Sequence, residues 1–200
     1  MLSFHPVKSI TSAEGGAVLT NNKELHRRLQ LFSKHGVTKD PDAMTVVEGD
    51  WYYQQIELGY NYRLSDLHAA LGISQLKKLD GFIQERVKIV ETYNAALSHL
   101  PLILPHSADF AKSAWHLYMV EVKNHDRKAV FDTLRKRRIG VNVHYIPIHL
   151  QPYYQNLGFK QGDYPNAEAF YQHAITLPLF PSMTADEQEY VIGVLDEVLR

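Results

Sequence analysis

Ser3-Phe4-His5-Pro6-Val7-Lys8, followed after four intervening residues by Ala13-Glu14-Gly15-Gly16-Ala17-Val18, sets one lysine ahead of a Gly-Gly turn and a β-prone apolar run. Glycine pairs mark turns, and lysines mostly lie exposed, so spacing alone describes a surface lysine beside a hairpin. Working outward, Ala17-Val18-Leu19-Thr20 predicts a short strand. Asn22 predicts the N-cap of a helix carrying Leu25, Leu29 and Phe32 on one face. Gly36 is expected to close that helix, with Lys34 and His35 in its last turn, where cations suit the dipole. From Val37 to Tyr62 there is no helical period, and Trp51, Tyr52, Tyr53, Tyr60 and Tyr62 crowd a long connection. Connections of that length tend to be functional or interfacial.

Ser65 predicts a second N-cap, with Leu67, Ala70 and Leu71 facing one way. Phe82, Ile83, Val87, Val90, Tyr93 and Leu97 recur at helical spacing until Pro101 and Pro105 stop the pattern. Beyond it, elements alternate as in an α/β unit. Trp115 to Val122 predicts a strand, Asp126 a helix bearing Val130, Phe131 and Leu134, and Gly140 its end before the β-prone Val141 to Ile146. Pro165 opens another helix, an apolar run covers Ile175 to Phe180, and Thr184 with Glu187 forms a capping box for a last helix. The expected division is 1–78, a linking helix at 79–100, and a small α/β domain at 101–200.

Composition excludes several classes. Of 200 residues, 45% are hydrophobic and 22% charged, with 21 Lys and Arg against 22 Asp and Glu, which suits a folded chain and not a disordered one. A net charge of -1 supplies no general attraction for nucleic acid. The basic run Arg135-Lys136-Arg137-Arg138 reads first as a solvated helix terminus and, a remote second, as a diphosphate contact. No stretch approaches the roughly 20 apolar residues of a membrane span, and a cytoplasmic protein is expected. Zero cysteines rule out disulfides and thiolate catalysis. His144 and His149 are five apart with no third ligand in sight, so no metal site is expected.

Four stretches, in order along the chain, resemble the pyridoxal-phosphate sugar-nucleotide aminotransferases of the DegT/StrS type. They are Phe4-His5-Pro6-Val7-Lys8 with Glu14-Gly15-Gly16; Gly59-Tyr60-Asn61-Tyr62-Arg63-Leu64-Ser65-Asp66; His144-Tyr145-Ile146-Pro147-Ile148-His149 through Tyr154; and Leu177-Pro178-Leu179-Phe180-Pro181. The resemblance implies an α/β chain that is the C-terminal half of a fold-type I enzyme: the end of a large cofactor-binding domain plus a small C-terminal domain. It implies pyridoxal 5'-phosphate as cofactor, bonded covalently by Lys8, whose amine then shuttles a proton during amino transfer. Relatives with histidine in place of this lysine are dehydratases, so Lys8 argues for transamination.

The resemblance also implies that Asn61 bonds the cofactor phosphate across a homodimer interface, with Arg63 a phosphate or interface contact. His144, Tyr145 and His149 are implied substrate contacts. The expected reaction moves an amino group, with glutamate as donor, to the C4 keto group of a UDP-4-keto-6-deoxy-N-acetyl hexosamine, on the way to pseudaminic acid or a related surface sugar. Another keto sugar nucleotide, or a catalytically inactive remnant acting as an interaction module, are the alternatives. The phosphate-binding turn, the stacked aromatic ring and the aspartate of such enzymes have no match in these residues.

Overall fold

Helix starts in this chain are set within three residues. Asn22 accepts from Leu25 N at 3.0 Å and begins α1, Lys23–Phe32. Ser65 accepts from His68 N at 3.4 Å and begins α2, Asp66–Leu76, which is followed by α3, Leu79–Leu97. Asp126 caps α4, Arg127–Lys136, through Lys128 N and Ala129 N. Pro152 and Pro165 stand at the starts of α5, Pro152–Gln155, and α6, Pro165–His173, where a missing N–H costs nothing. Thr184 and Glu187 close a reciprocal capping box at α7, Ala185–Leu199. The strands are β1 Leu2–Ser3, β2 Gly16–Ala17, β3 Val37–Thr38, β4 Gln54–Gln55, β5 Leu102–Ile103, β6 Tyr118–Val122 and β7 Ala174–Leu177.

The computed structural model describes residues 1–200, which divide into two units, Met1–Leu79 and Asp80–Arg200. In the first, β1 pairs with β2 and β3 with β4, each antiparallel and two residues long. Its buried side chains are few, chiefly Leu31 and Ser12. The predicted apolar face of α2 is largely uncovered: Leu67 is 84% exposed and no residue of the helix is fully buried.

The second unit holds the hydrophobic core. Its antiparallel sheet has the order β5-β6-β7, with Tyr118 opposite Leu177 and Val120 opposite Ile175. The two-residue period buries Tyr118, Val120 and Val122 of β6 against Ile89, Val90, Tyr93 and Leu97 of α3, Val130 and Leu134 of α4, and Val191, Val194 and Leu195 of α7. The helix expected as a link thus supplies one wall of this core. Tyr93 Oη donates to Pro178 O at 3.1 Å, and Tyr118 Oη to Asn94 Oδ1 at 2.7 Å, so both buried hydroxyls are satisfied.

Several predicted boundaries shift: α1 ends at Phe32, so Lys34 and His35 lie beyond its last turn and not in it, and β2 is Gly16–Ala17 where a strand is expected over 17–20. The strand begins at Tyr118, not Trp115, because Trp115 takes φ +46° and the Trp115 and His116 carbonyls accept from buried Arg86. The helix α4 ends before Gly140, since Arg138 at φ +62° turns the chain first. Of Val141 to Ile146, only Asn142 pairs with a strand, bridging Thr176.

Candidate active site

Lys8 lies in the connection between β1 and β2. That connection is tied across its base, where Phe4 N donates to Gly15 O, and Ser12 N and Thr11 Oγ1 donate to Phe4 O, each at 3.0 Å. Lys8 N donates to His5 O at 3.0 Å, and buried Ser12 Oγ to Glu14 O at 2.8 Å. A Cβ on Gly15 would stand 2.7 Å from Ser12 Oγ, and one on Gly16 2.7 Å from Leu2 O, so close backbone approach demands both glycines. The Lys8 side chain is half-buried and makes no ion pair.

Asn61 and Arg63 are positioned by a second close approach. Gly36, at φ +72°, and Gly59 face one another; a Cβ on Gly36 would overlap Glu57 O, and one on Gly59 would meet the Gly36 backbone. The segment from Gly59 can therefore run beside the end of α1, where Tyr60 N donates to Phe32 O at 2.7 Å and Tyr62 N to Ser33 O at 3.0 Å. Those carbonyls would otherwise be orphaned at the helix terminus. Tyr60 and Tyr62 stack at 4.8 Å, and Asn61 between them is exposed, its amide unbonded. Arg63 is exposed and unpaired. No hydrogen bond or ion pair joins Lys8 to Asn61 or Arg63.

His144, Tyr145 and His149 belong to the second unit and differ in environment. His144 Nδ1 lies 2.7 Å from Thr176 Oγ1 and its Nε2 3.3 Å from Asn142 Nδ2, and burial lowers its pKa below the ordinary 6.5. Tyr145 is 68% exposed. His149 is turned inward: it is 7% exposed, its Nε2 is 2.7 Å from Glu168 Oε1, and the Tyr164 ring lies 4.8 Å away. The hydrogen bond to His149, then one from Gly162 N at 2.8 Å, holds the Glu168 carboxyl below the ordinary 4.5. This imidazole is thus committed to an internal pair that fastens the turn of Ile148–Leu150 to α6. Beside it Ile148, Tyr154, Phe159 and Tyr164 line an apolar cavity of about 360 Å³.

Sequence reading did not single out Glu168, Thr176 or Asn142. Glu168 sits in the first turn of α6, where an acid already suits the dipole, so nothing local marks its tie to His149. In the basic run, Arg137 pairs with Glu197 and its carbonyl accepts from Tyr190 Oη at 3.0 Å. No group of three or more His, Asp or Glu could hold a metal, and no helix is long and apolar enough to cross a membrane.

The fold and these motifs match known proteins. The chain belongs to the DegT/DnrJ/EryC1/StrS aminotransferase family, whose model matches residues 1–196. It is 36% identical over its whole length to 52% of a UDP-4-amino-4,6-dideoxy-N-acetyl-beta-L-altrosamine transaminase of Campylobacter jejuni. It is also 36% identical, over 99% of its length, to 53% of the spore coat polysaccharide biosynthesis protein SpsC of Bacillus subtilis. Among solved structures, Helicobacter pylori PseC, an aminotransferase involved in the biosynthesis of pseudoaminic acid, superposes with a TM-score of 0.88 at 32% identity, covering 98% of this chain and 52% of that one. The chain spans about half the length of the curated relatives it matches.

The fold is therefore that of the fold-type I sugar aminotransferases, α/β, over about half of such an enzyme. Pyridoxal phosphate is the cofactor of this family, and a relative from Streptococcus pneumoniae, Spr1654, is known in its PLP form, with a TM-score of 0.85 at 32% identity over 99% of this chain and 52% of that one. The chemistry of the residues present suits such a molecule, though Lys8 and Asn61 need not meet the same copy of it. Lys8 offers an amine without a carboxylate partner for the aldehyde, and Asn61 and Arg63 offer unengaged N–H donors for a phosphate.

Proposed function

We propose that this chain is the C-terminal half of an enzyme that transfers an amino group from glutamate to the C4 keto group of a UDP-4-keto-6-deoxy-N-acetyl hexosamine, in the making of pseudaminic acid or a related surface sugar. In this reading residues 1–78 complete a large cofactor domain, 79–100 link it to a small domain at 101–200, and the enzyme is a cytoplasmic homodimer. The observation that carries it is Lys8, half-buried and without an ion pair, on the tied loop of the first family motif. The names of the Campylobacter and Helicobacter relatives support the sugar, while SpsC keeps another keto sugar nucleotide as the second reading.

When bound, pyridoxal phosphate would supply an electron sink for chemistry at the donor Cα. Lys8 Nζ would hold the cofactor, and its amine would serve as the base that takes a proton from the donor Cα and gives it back. The exposed Asn61 amide gives N–H bonds to phosphate without adding charge, and its freedom from partners within the chain suits a contact to a second subunit. Tyr145 offers an exposed hydroxyl to substrate. His144, its pKa lowered by burial, is neutral near pH 7 and suited to a hydrogen bond rather than to charge. His149 keeps the same loop in place through Glu168.

The test is covalent labelling. With added pyridoxal phosphate, borohydride reduction and peptide mapping should mark Lys8 selectively, and Lys8→Ala should lose both the label and the visible absorbance. Labelling spread evenly over the lysines, or an unchanged spectrum in Lys8→Ala, overturns the assignment.

A further inference from the structure

The segment that carries His144 is pinned to the second unit's sheet by two residues that the proposed chemistry leaves unused. Asn142 and Thr176 of β7 form a two-way backbone bridge, in which Thr176 N donates to Asn142 O at 2.8 Å and Asn142 N to Thr176 O at 3.2 Å. Their side chains then bracket the half-buried imidazole. Its Nδ1 is 2.7 Å from Thr176 Oγ1, and its Nε2 is 3.3 Å from Asn142 Nδ2. Thr176 is buried, whereas Asn142 is exposed.

Matching donors to acceptors fixes where the imidazole proton sits. Val143 N donates to Asn142 Oδ1 at 2.8 Å, so the amide oxygen is turned to that N–H and the amide nitrogen, a donor only, is left facing His144. The reverse orientation would set the amide nitrogen against the Val143 N–H and deprive it of its acceptor. Nε2 can answer a donor only with its lone pair. A neutral imidazole carries one proton, which therefore sits on Nδ1 and is donated to Thr176 Oγ1. An imidazolium would bring two donors face to face at Nε2, which agrees with the lowering of the His144 pKa by burial.

We propose that Asn142 and Thr176 are positioning residues that hold His144 in its Nδ1–H form, leaving Nε2 to meet the substrate as a hydrogen-bond acceptor. The 2.7 Å bond to a buried hydroxyl fixes the ring. The 3.3 Å bond is long and comes from an exposed side chain, so it can be exchanged for one from a ligand. Whatever replaces it must donate. A sugar hydroxyl or an amide N–H qualifies, whereas a phosphate, carboxylate or keto oxygen would face a lone pair and be refused. His144 therefore reads a hydroxyl or the acetamido N–H of the hexosamine, and neither the keto oxygen that is replaced nor the diphosphate. That the ligand is this sugar rests on the function proposed above, while the proton on Nδ1 rests on the geometry alone.

The experiment is proton–nitrogen NMR of the imidazole rings in the 200-residue chain at about pH 8, where a protonated and an unprotonated ring nitrogen have distinct shifts. His144 should carry its proton on Nδ1. Asn142→Asp puts an acceptor where the donor stood and should move the proton to Nε2. Thr176→Val should lower the ratio of Nδ1–H to Nε2–H by about twofold or more, and Thr176→Ser, which keeps the hydroxyl, should restore it. Backbone amide spectra show whether each variant is folded as the parent is; Asn142→Asp, at an exposed position, decides the matter if Thr176→Val does not fold. A parent protonated on Nε2, or a folded Asn142→Asp that keeps the proton on Nδ1, overturns the proposal. Titration with UDP-N-acetylglucosamine should then shift Nε2 with the proton still on Nδ1, and uridine diphosphate should not. Equal shifts from the two, or none from either, overturn the acceptor role toward sugar. Labelling of Lys8 with the proton on Nε2 rejects this proposal alone, and the proton on Nδ1 without Lys8 labelling rejects the aminotransferase reading alone.

Discussion

Arg86 is the most exacting test of how the second unit is held together. It is 6% exposed, faces no carboxylate, and donates from Nη1 to Trp115 O at 3.2 Å, His116 O at 3.3 Å and Leu179 O at 2.9 Å, while its buried Nε has no partner. Burial pushes its pKa below the ordinary arginine value, yet a guanidinium stays charged at any working pH. Two effects oppose one another. Removing the side chain relieves a buried charge, which on its own is often favourable. It also strands three carbonyls that hold the loop before β6 and the Pro178 turn onto α3, at roughly 1 kcal/mol each for partly buried acceptors.

Arg86→Met keeps the apolar stem and deletes the donors. Because each carbonyl sits in a fixed irregular segment that cannot turn to find another partner, the loss should dominate, at about 2 to 3 kcal/mol. In a unit of this size that lowers the melting temperature by roughly 10 °C. Differential scanning calorimetry of the parent and the variant reads it directly. Arg86→Lys, which keeps the charge but not the fork, should fall between the two. A melting temperature equal to or above the parent's would refute the reasoning, because it would mean that charge burial outweighs the carbonyl clamp.

Two further outcomes follow from burial and charge. Limited proteolysis should cut residues 1–78 first and leave 101–200 intact, because the core of the second unit has no counterpart beneath the exposed α2 and the aromatic connection; equal resistance of the two would contradict this. His144 should titrate below 6.5 in a proton NMR pH series. With its folded pKa depressed, the unfolded chain binds the proton more readily, so the contribution of His144 to stability is present above pH 6.5 and is lost as pH falls through the folded value. A midpoint at or above 6.5 would mean that the burial and the Thr176 contact do not hold in solution.

Much of the local architecture was legible in the sequence because its causes are local. The caps at Asn22, Ser65, Asp126 and Thr184 act through a side chain and an N–H two or three residues on, and each helix starts where that chemistry places it. The four motifs likewise announced the family, and Gly15-Gly16 the hairpin beside Lys8. Helix ends were read less well, since the turn after α4 was made by Arg138 and not by the glycine that ordinarily takes a left-handed backbone.

What tertiary structure alone decided involves partners far apart in the chain. The apolar stripe of α2 was visible in sequence, but only the fold shows it bare. Periodicity likewise gave no sign that Arg86 would sit inside, because its acceptors are the carbonyls of residues as distant as Leu179. His149 reads as an available ligand until Glu168 is brought against it, and Lys34 and Arg63, a helix-end cation and a phosphate or interface contact in sequence, line one cavity only where the Gly36 and Gly59 backbones meet. Caps and turns are settled by the nearest few residues, whereas burial and the convergence of charge depend on which distant segments the folded backbone brings together.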